Sequence, residues 1–277
     1  MRILVPLDGS ADAEAILPSL VPLAKARSYE LDLIQVLGDR AQVPAAEAYL
    51  DGRRGRLLTE GVRAASKAVC GRPAEEIVRE AEQGRHELVA MTMLRRGPAG
   101  SVTRAVLSLS KVPMLVNRPG IRGGDWRRIV VALDGFAGAE EVLHGAGPLA
   151  RAFKAVLHVL HVGLPLLPYD DRKGTVPVLR EQAEAYLQGV CERLAAQGIQ
   201  ALPVKREGAP GPAICRYSQQ VGAGLVCVAS AMCGSGPEPR EEGVTESVLR
   251  GAPCPVWVCS RASLGEPRGS TRRLLRV

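Results

Sequence analysis

Short apolar runs alternate with stretches of helical spacing along most of the chain. Residues 2–7 are an apolar run, 11–27 place Ala15, Leu20, Leu23 and Ala24 at helical intervals, and 31–37 are apolar again. A loosely helical stretch follows over 45–60, then a weaker strand over 62–70. Residues 75–82 read as a helix with Pro73 at its first turn, where the missing proline N–H costs nothing. Strand 87–92, helix 101–110 and strand 112–117 complete the series. Pro18 and Pro22 fall inside the first helical stretch and predict a kink or an early break there.

The same succession returns at 127–133, 138–152, 155–162, 177–197, 201–206, 211–221, 224–229, 244–251 and 254–259. It is a true sequence repeat. Arg2-Ile-Leu-Val-Pro-Leu-Asp8-Gly9 reappears as Arg128-Ile-Val-Val-Ala-Leu-Asp134-Gly135. Gly71-Arg-Pro73-Ala-Glu-Glu-Ile77 is echoed by Gly208-Ala-Pro210-Gly-Pro-Ala-Ile214, and Val112-Pro113-Met-Leu-Val116 by Cys254-Pro255-Val-Trp-Val258. The offsets grow from 126 to 137 to 142 residues, so the second copy has gained insertions, chiefly between its second strand and second helix. Strands alternating with helices give an α/β fold: two tandem, open, five-stranded parallel-sheet domains with helices on both faces, Rossmann-like in outline. The expected division is domain 1 at 1–118, a glycine-rich exposed linker at 119–126, domain 2 at 127–260 and a tail at 261–277.

At 277 residues each half is long enough to bury a core without disulfides or metal. Two Phe, two Trp and five Tyr leave few stacking platforms for bases, which weighs against single-stranded nucleic acid as a partner. The opening MRILVPLDGS is not expected to be a signal peptide, and no apolar run reaches the ~18 residues a membrane helix needs. Seven Cys form an odd set without a C-x-x-C, several within apolar runs; reduced, buried thiols in a cytoplasmic protein are expected. The formal charge of +7 is uneven, with five Arg against Glu266 alone from Arg261 to Val277. That tail reads as a flexible basic extension, either merely solvated or touching an anionic partner.

In an open parallel sheet, ligands bind beyond the carboxyl ends of the strands where the strand order reverses. Asp8 and Asp134 each follow a first strand and are placed to meet a ribose hydroxyl or an exocyclic amine. Asp8, before Gly9 and Ser10, could equally cap the helix that follows. The segment Met91-Thr-Met-Leu-Arg-Arg-Gly97-Pro-Ala-Gly100-Ser101-Val102 reads either as an anion cradle entering a helix, with Arg95 and Arg96 adding charge, or as an ordinary loop with a Ser cap. The second-copy counterpart, Ser230 to Val244, carries Glu238, Glu241 and Glu242, which repel phosphate.

Taken in order, VPLDGS, LIQV, GRPAEEI, GSVTRAVL and VPMLV resemble the universal stress protein family. The second copy is similar through VVALDG, VLHV, GVTESVL and APCPVWV, so the resemblance spans about 2–260. It implies the adenine-nucleotide-α-hydrolase-like version of the fold, pairing of domains through the last strand, and ATP or AMP as a ligand of some members. Carried across residue by residue, Asp8, reached through Pro6 and Leu7, would contact the adenosine and Val36 the adenine. Gly100, Ser101 and Val102 would hold the phosphates, with Met91, Thr92, Arg95 and Gly97 completing the site. The family loop reads G-x-x-G-x9-G-S/T. Here Thr92 and Arg95 stand where its first two glycines would be, and the loop is about five residues short. The corresponding second site would comprise Leu133, Asp134, Val162, Ser230, Gly243 and Val244, with Ser230 and Cys233 in place of glycines.

Other signals fall away. Gly145-Ala-Gly147-Pro-Leu-Ala150 spells a dinucleotide motif but sits within a helix rather than at a strand-to-helix turn. His158 and His161 share one strand-like run and read as structural. There is no P-loop, nucleophile elbow or zinc motif, and no catalytic constellation. The expected function is a regulatory protein of the stress response, not an enzyme, with domain 1 binding ATP or AMP and domain 2 degenerate. The alternative is a nucleotide-independent module that recruits a protein partner. Intrachain pairing of strands 112–117 and 254–259 is expected, and a further homodimer is left open.

Overall fold

The computed structural model describes residues 1–93, 98–121, 123, 125–135, 137–163, 180–230 and 243–260. Arg95, Gly97, Cys233, the three loop glutamates of the second copy, its main insertion and the basic tail lie outside the described residues. The first repeat supplies strands β1 (Arg2–Pro6), β2 (Glu30–Leu37), β3 (Ala64–Cys70), β4 (Leu88–Thr92) and β5 (Met114–Asn117). The second supplies β6 (Arg128–Ala132), β7 (Val156–Gly163), β8 (Ala201–Glu207), β9 (Leu225–Ser230) and β10 (Val256–Ser260).

All ten join one sheet in the order β3-β2-β1-β4-β5-β10-β9-β6-β7-β8. Pairing is parallel within each half. At the seam β5 and β10 run antiparallel, with Val116 opposite Val256, Leu115 opposite Trp257 and Met114 opposite Val258. The closing strands thus cover each other's apolar edges. What remains exposed at the far ends is β3 and β8, and β8 is blunted by Pro203 and by Lys205 and Arg206.

One face of the sheet is covered by α1 (Ala11–Glu14), α2 (Leu17–Arg27), α3 (Val43–Thr59), α6 (Glu141–Phe153) and α7 (Arg180–Ala195). The other carries α4 (Pro73–Gln83), α5 (Pro98–Leu109), α8 (Pro210–Gln220) and α9 (Val244–Gly251). Each apolar layer runs unbroken across both halves: Ile3, Leu33 and Leu115 pack in the same layer as Ile129, Leu157 and Trp257. Helix α8 buries Ile214 and Tyr217, and α9 buries Val248 and Leu249, in the opposite layer that holds Ile77 and Val106.

The break expected in the first helical stretch falls between α1 and α2, before Pro18, which occupies the first turn of α2. Pro22 stays inside that helix. Helices α2 and α6 both close on a left-handed residue, Ser28 (φ 53°) and Lys154 (φ 49°), so the repeat extends to backbone detail.

The linker departs from expectation. Trp126 is only 1% exposed, and its ring lies 5.0 Å from that of Phe153. A Cβ on Gly123 would fall 1.8 Å from the Ser19 hydroxyl, so this glycine packs against α2 instead of spanning solvent. Gly123 permits close backbone approach, whereas Gly120, exposed at φ +83°, has open space around it. The dinucleotide-like glycines have a packing role as well. A Cβ at Gly145 would meet the Trp257 indole at 2.9–3.1 Å, and one at Gly147 would meet Ile199 at 3.2 Å.

Candidate functional site

Strand order reverses in the first half between β1 and β4, which are parallel neighbours. The residues that follow them, Asp8 and the segment entering α5, therefore lie beyond the same edge of the sheet. In the second half Asp134 and Gly243 stand in the same relation to β6 and β9. Because β5 and β10 are antiparallel, the carboxyl ends of the two halves point opposite ways, and the two crevices open at opposite edges.

Asp8 is exposed, just past the buried Pro6 and Leu7. Gly9 turns the chain with φ +89°, and Ser10 caps α1 by accepting from Ala13 N at 3.1 Å. Behind that cap, Asp8 Oδ1 accepts from Ser10 N at 2.9 Å and from Ser10 Oγ at 2.6 Å. Capping belongs to Ser10, and Asp8 braces it. Leu7 turns its side chain into the α1–α3 layer, whereas Val36, Met91 and Val102 pack in the α4–α5 layer. Three of the expected ligand contacts thus share one side of the sheet, and Leu7 can offer only its backbone.

Thr92 is 7% exposed, and its hydroxyl donates to Ala13 O at 3.1 Å. Asn117 Nδ2, at the end of β5, donates to Ala15 O at 2.9 Å. Both tie α1 down over the strand ends. Asn117 carried no sequence signal, being one polar residue at the end of an apolar run; its role follows from the β4–β5 adjacency.

Helix α5 begins at Pro98, three residues ahead of the expected start. That places Gly100, Ser101 and Val102 inside the helix. Pro98 has no N–H, and past the first turn each amide is taken up by the i→i−4 ladder. Among the described residues the unclaimed helix-start amides are then those of Ala99 and Gly100. Arg95 and Gly97 lie outside the described residues.

In the second copy Leu133 is buried and donates its N–H to Leu160 O at 2.9 Å, as Leu7 does to Ile34 O at 2.8 Å. Gly243 is the N-cap of α9 and Val244, 45% exposed, its first residue. Ser230 is buried at the end of β9, and Val162 packs in the α8–α9 layer.

His158 Nδ1 lies 2.8 Å from the Tyr217 hydroxyl, and His161 Nδ1 donates to Leu133 O at 3.0 Å. Burial, then the charge of Arg128, pulls the His158 pKa below its ordinary value. The six described Cys are free. Burial pushes the Cys254 thiol up to about 12 and Cys259 to about 11, and Cys227 also rises well above its usual value. Among the described residues no His/Cys/Asp/Glu group could hold a metal, and no helix is long and apolar enough to cross a membrane. A concavity of about 480 Å³ opens at the ends of β2 and β3, lined by Arg40, Val43, Pro44, Ala68, Val69 and Cys70. Its lining comes from β3 and the segment entering α3 and includes none of the expected ligand contacts.

Comparison with known proteins agrees with this architecture. A universal stress protein from Archaeoglobus fulgidus DSM 4304 superposes with a TM-score of 0.76 at 24% identity, covering 94% of this chain and 98% of that one. The cytoplasmic domain of a prokaryotic cation chloride cotransporter shares the fold at a TM-score of 0.57 and 14% identity, covering 93% and 94%. In sequence, the universal stress protein YxiE of Bacillus subtilis (strain 168) is 25% identical over 145 residues, 48% of this chain and 98% of its own. The model of the universal stress protein family matches residues 1–118 and again 125–260. With the repeat, the ten-stranded sheet and two matches covering most of its length, the chain belongs to the universal stress protein family and carries its domain twice in tandem.

Proposed function

We propose that this stress-response protein is a cytoplasmic regulator, not an enzyme, in which domain 1 binds an adenine nucleotide and domain 2 is degenerate. The reading takes 1–118 and 127–260 as the domains, joined by 119–126. One observation carries it: the exposed Asp8 carboxylate, held through Oδ1 by Ser10 at the β1–β4 switch point. A carboxylate fixed there is suited to a ribose hydroxyl or an adenine amine, while Val36, Met91 and Val102 share the apolar α4–α5 layer. Among the described residues the helix start offers the Ala99 and Gly100 amides, which suits a monophosphate, so AMP should bind at least as tightly as ATP.

Isothermal titration of the whole chain with AMP and with ATP tests the proposal. Micromolar binding of AMP, weakened tenfold or more by Asp8→Ala, is expected. No measurable binding, or an affinity indifferent to Asp8→Ala, would favour the alternative in which the domains recruit a protein partner without nucleotide.

A further inference from the structure

Three consecutive residues around the end of α1 are each gripped by a different element. Ala13 O accepts from Thr92 of β4, and Ala15 O from Asn117 of β5. Between them, the Glu14 carboxylate reaches outward to α3. Its Oε1 accepts from the Tyr49 hydroxyl at 2.8 Å and pairs with Arg53 Nε at 3.0 Å. Arg53 also lies 5.3 Å from the centre of the Tyr49 ring, so the three side chains form one closed unit. It is partly buried, with Arg53 26% and Glu14 20% exposed, which leaves the pair less screened than a surface bridge.

The second copy repeats the ion pair of this unit. Glu140 stands 126 residues after Glu14, the offset of Asp8 and Asp134, and Tyr186 stands 137 after Tyr49, the offset of the second motif. Arg193 Nη2 donates to Glu140 Oε2 at 2.8 Å. Arg193 lies seven residues after Tyr186 where Arg53 lies four after Tyr49, so the cation comes from the next turn of the same helical face. The buried Tyr186 hydroxyl has no hydrogen-bond partner. Burial, then the charge of Glu140, raises its pKa. Both copies thus retain a tyrosine, an arginine and a glutamate at the turn that carries the acidic residue, while their phosphate loops have diverged.

We propose that Tyr49 and Arg53 form a latch that, through Glu14, fixes the pose of the acidic β1–α1 turn, and that Arg193, through Glu140, does the same for the β6–α6 turn. These are positioning residues, since none of them follows a strand end at the crevice. The latch rests on the nucleotide reading only where ligand affinity is measured.

Hydrogen exchange followed by mass spectrometry on Tyr49→Phe, Glu14→Gln and the double variant is the test. A hydrogen bond to a carboxylate is a strong one of its kind, so each single variant should accelerate exchange across residues 9–16 about tenfold. Peptides from β2 should be unchanged. The double variant should add little to either single change, because both break one unit. Glu140→Gln should do the same for 137–143 and leave 9–16 untouched. In protein that binds AMP, Tyr49→Phe should weaken affinity three- to tenfold. Unaltered exchange at 9–16, acceleration spread evenly over the sheet, or fully additive effects would overturn the latch. Loss of AMP binding in the wild type would sink the nucleotide reading alone, since the exchange measurements need no ligand.

Discussion

At the level of single side chains, much of the polar inventory turns out to serve the fold. The His158 ring lies tilted 5.8 Å from that of Tyr217, and Arg206 lies 4.7 Å from the centre of the same tyrosine ring. The native state holds His158 below its ordinary pKa, by burial first and by Arg128 second. The unfolded chain protonates it near pH 6.5, so lowering the pH through that region gives the unfolded state the extra proton. Stability from this residue is complete above about pH 6.5 and is lost as pH falls towards the depressed native value. The urea midpoint should therefore drop between pH 7.5 and pH 5.5, and drop less in His158→Gln. An identical pH slope in the variant would contradict the assignment. Asp8, by contrast, spends one oxygen on its own turn while remaining exposed, and the helix cap that the sequence offered it belongs to Ser10.

Among the elements, the periodicity located nearly all of the strands and helices, because each apolar run is short and separated by polar turns. Boundaries were missed where a neighbour decides them. Helix α5 reaches back to Pro98 since proline suits a first turn, and the strand before it ends against α1 through Thr92. Helix α6 shows how a motif without its context misleads: its glycines accommodate an indole and an isoleucine. Gly145→Ala should cost about 1–3 kcal/mol, since the rigid Trp257 ring cannot yield without a backbone shift. Gly147→Ala meets only the end of the flexible Ile199 side chain and should be near neutral, helped by alanine's better helix propensity. Thermal or urea unfolding of the two variants gives the comparison, and equal losses would refute the packing account.

For the molecule as a whole, the decisive feature is that both apolar layers cross the β5–β10 seam. Arg104 of α5 pairs with Glu246 of α9 at 3.0 Å, and Arg118 donates to the carbonyls of Arg250 and Ala252. With core and rim both shared, the halves should unfold together. Far-ultraviolet circular dichroism and the fluorescence of Trp126 and Trp257 should trace one superimposable transition, with calorimetric and van't Hoff enthalpies equal. Two separated transitions would mean that each half is stable alone.

The sequence by itself determined the duplication, the alternation of strand and helix, the parallel pairing within each half and the placing of an acidic residue after each first strand. These follow from local periodicity and from motifs repeated in order, which need no knowledge of what lies across the sheet. Only the tertiary structure decided which edge each crevice faces, that the linker tryptophan is core, that Thr92 and Asn117 hold α1, and that Glu14 meets Tyr49 and Arg53. Each of those depends on residues far apart in the chain being brought together by strand order, and no local pattern carries that information.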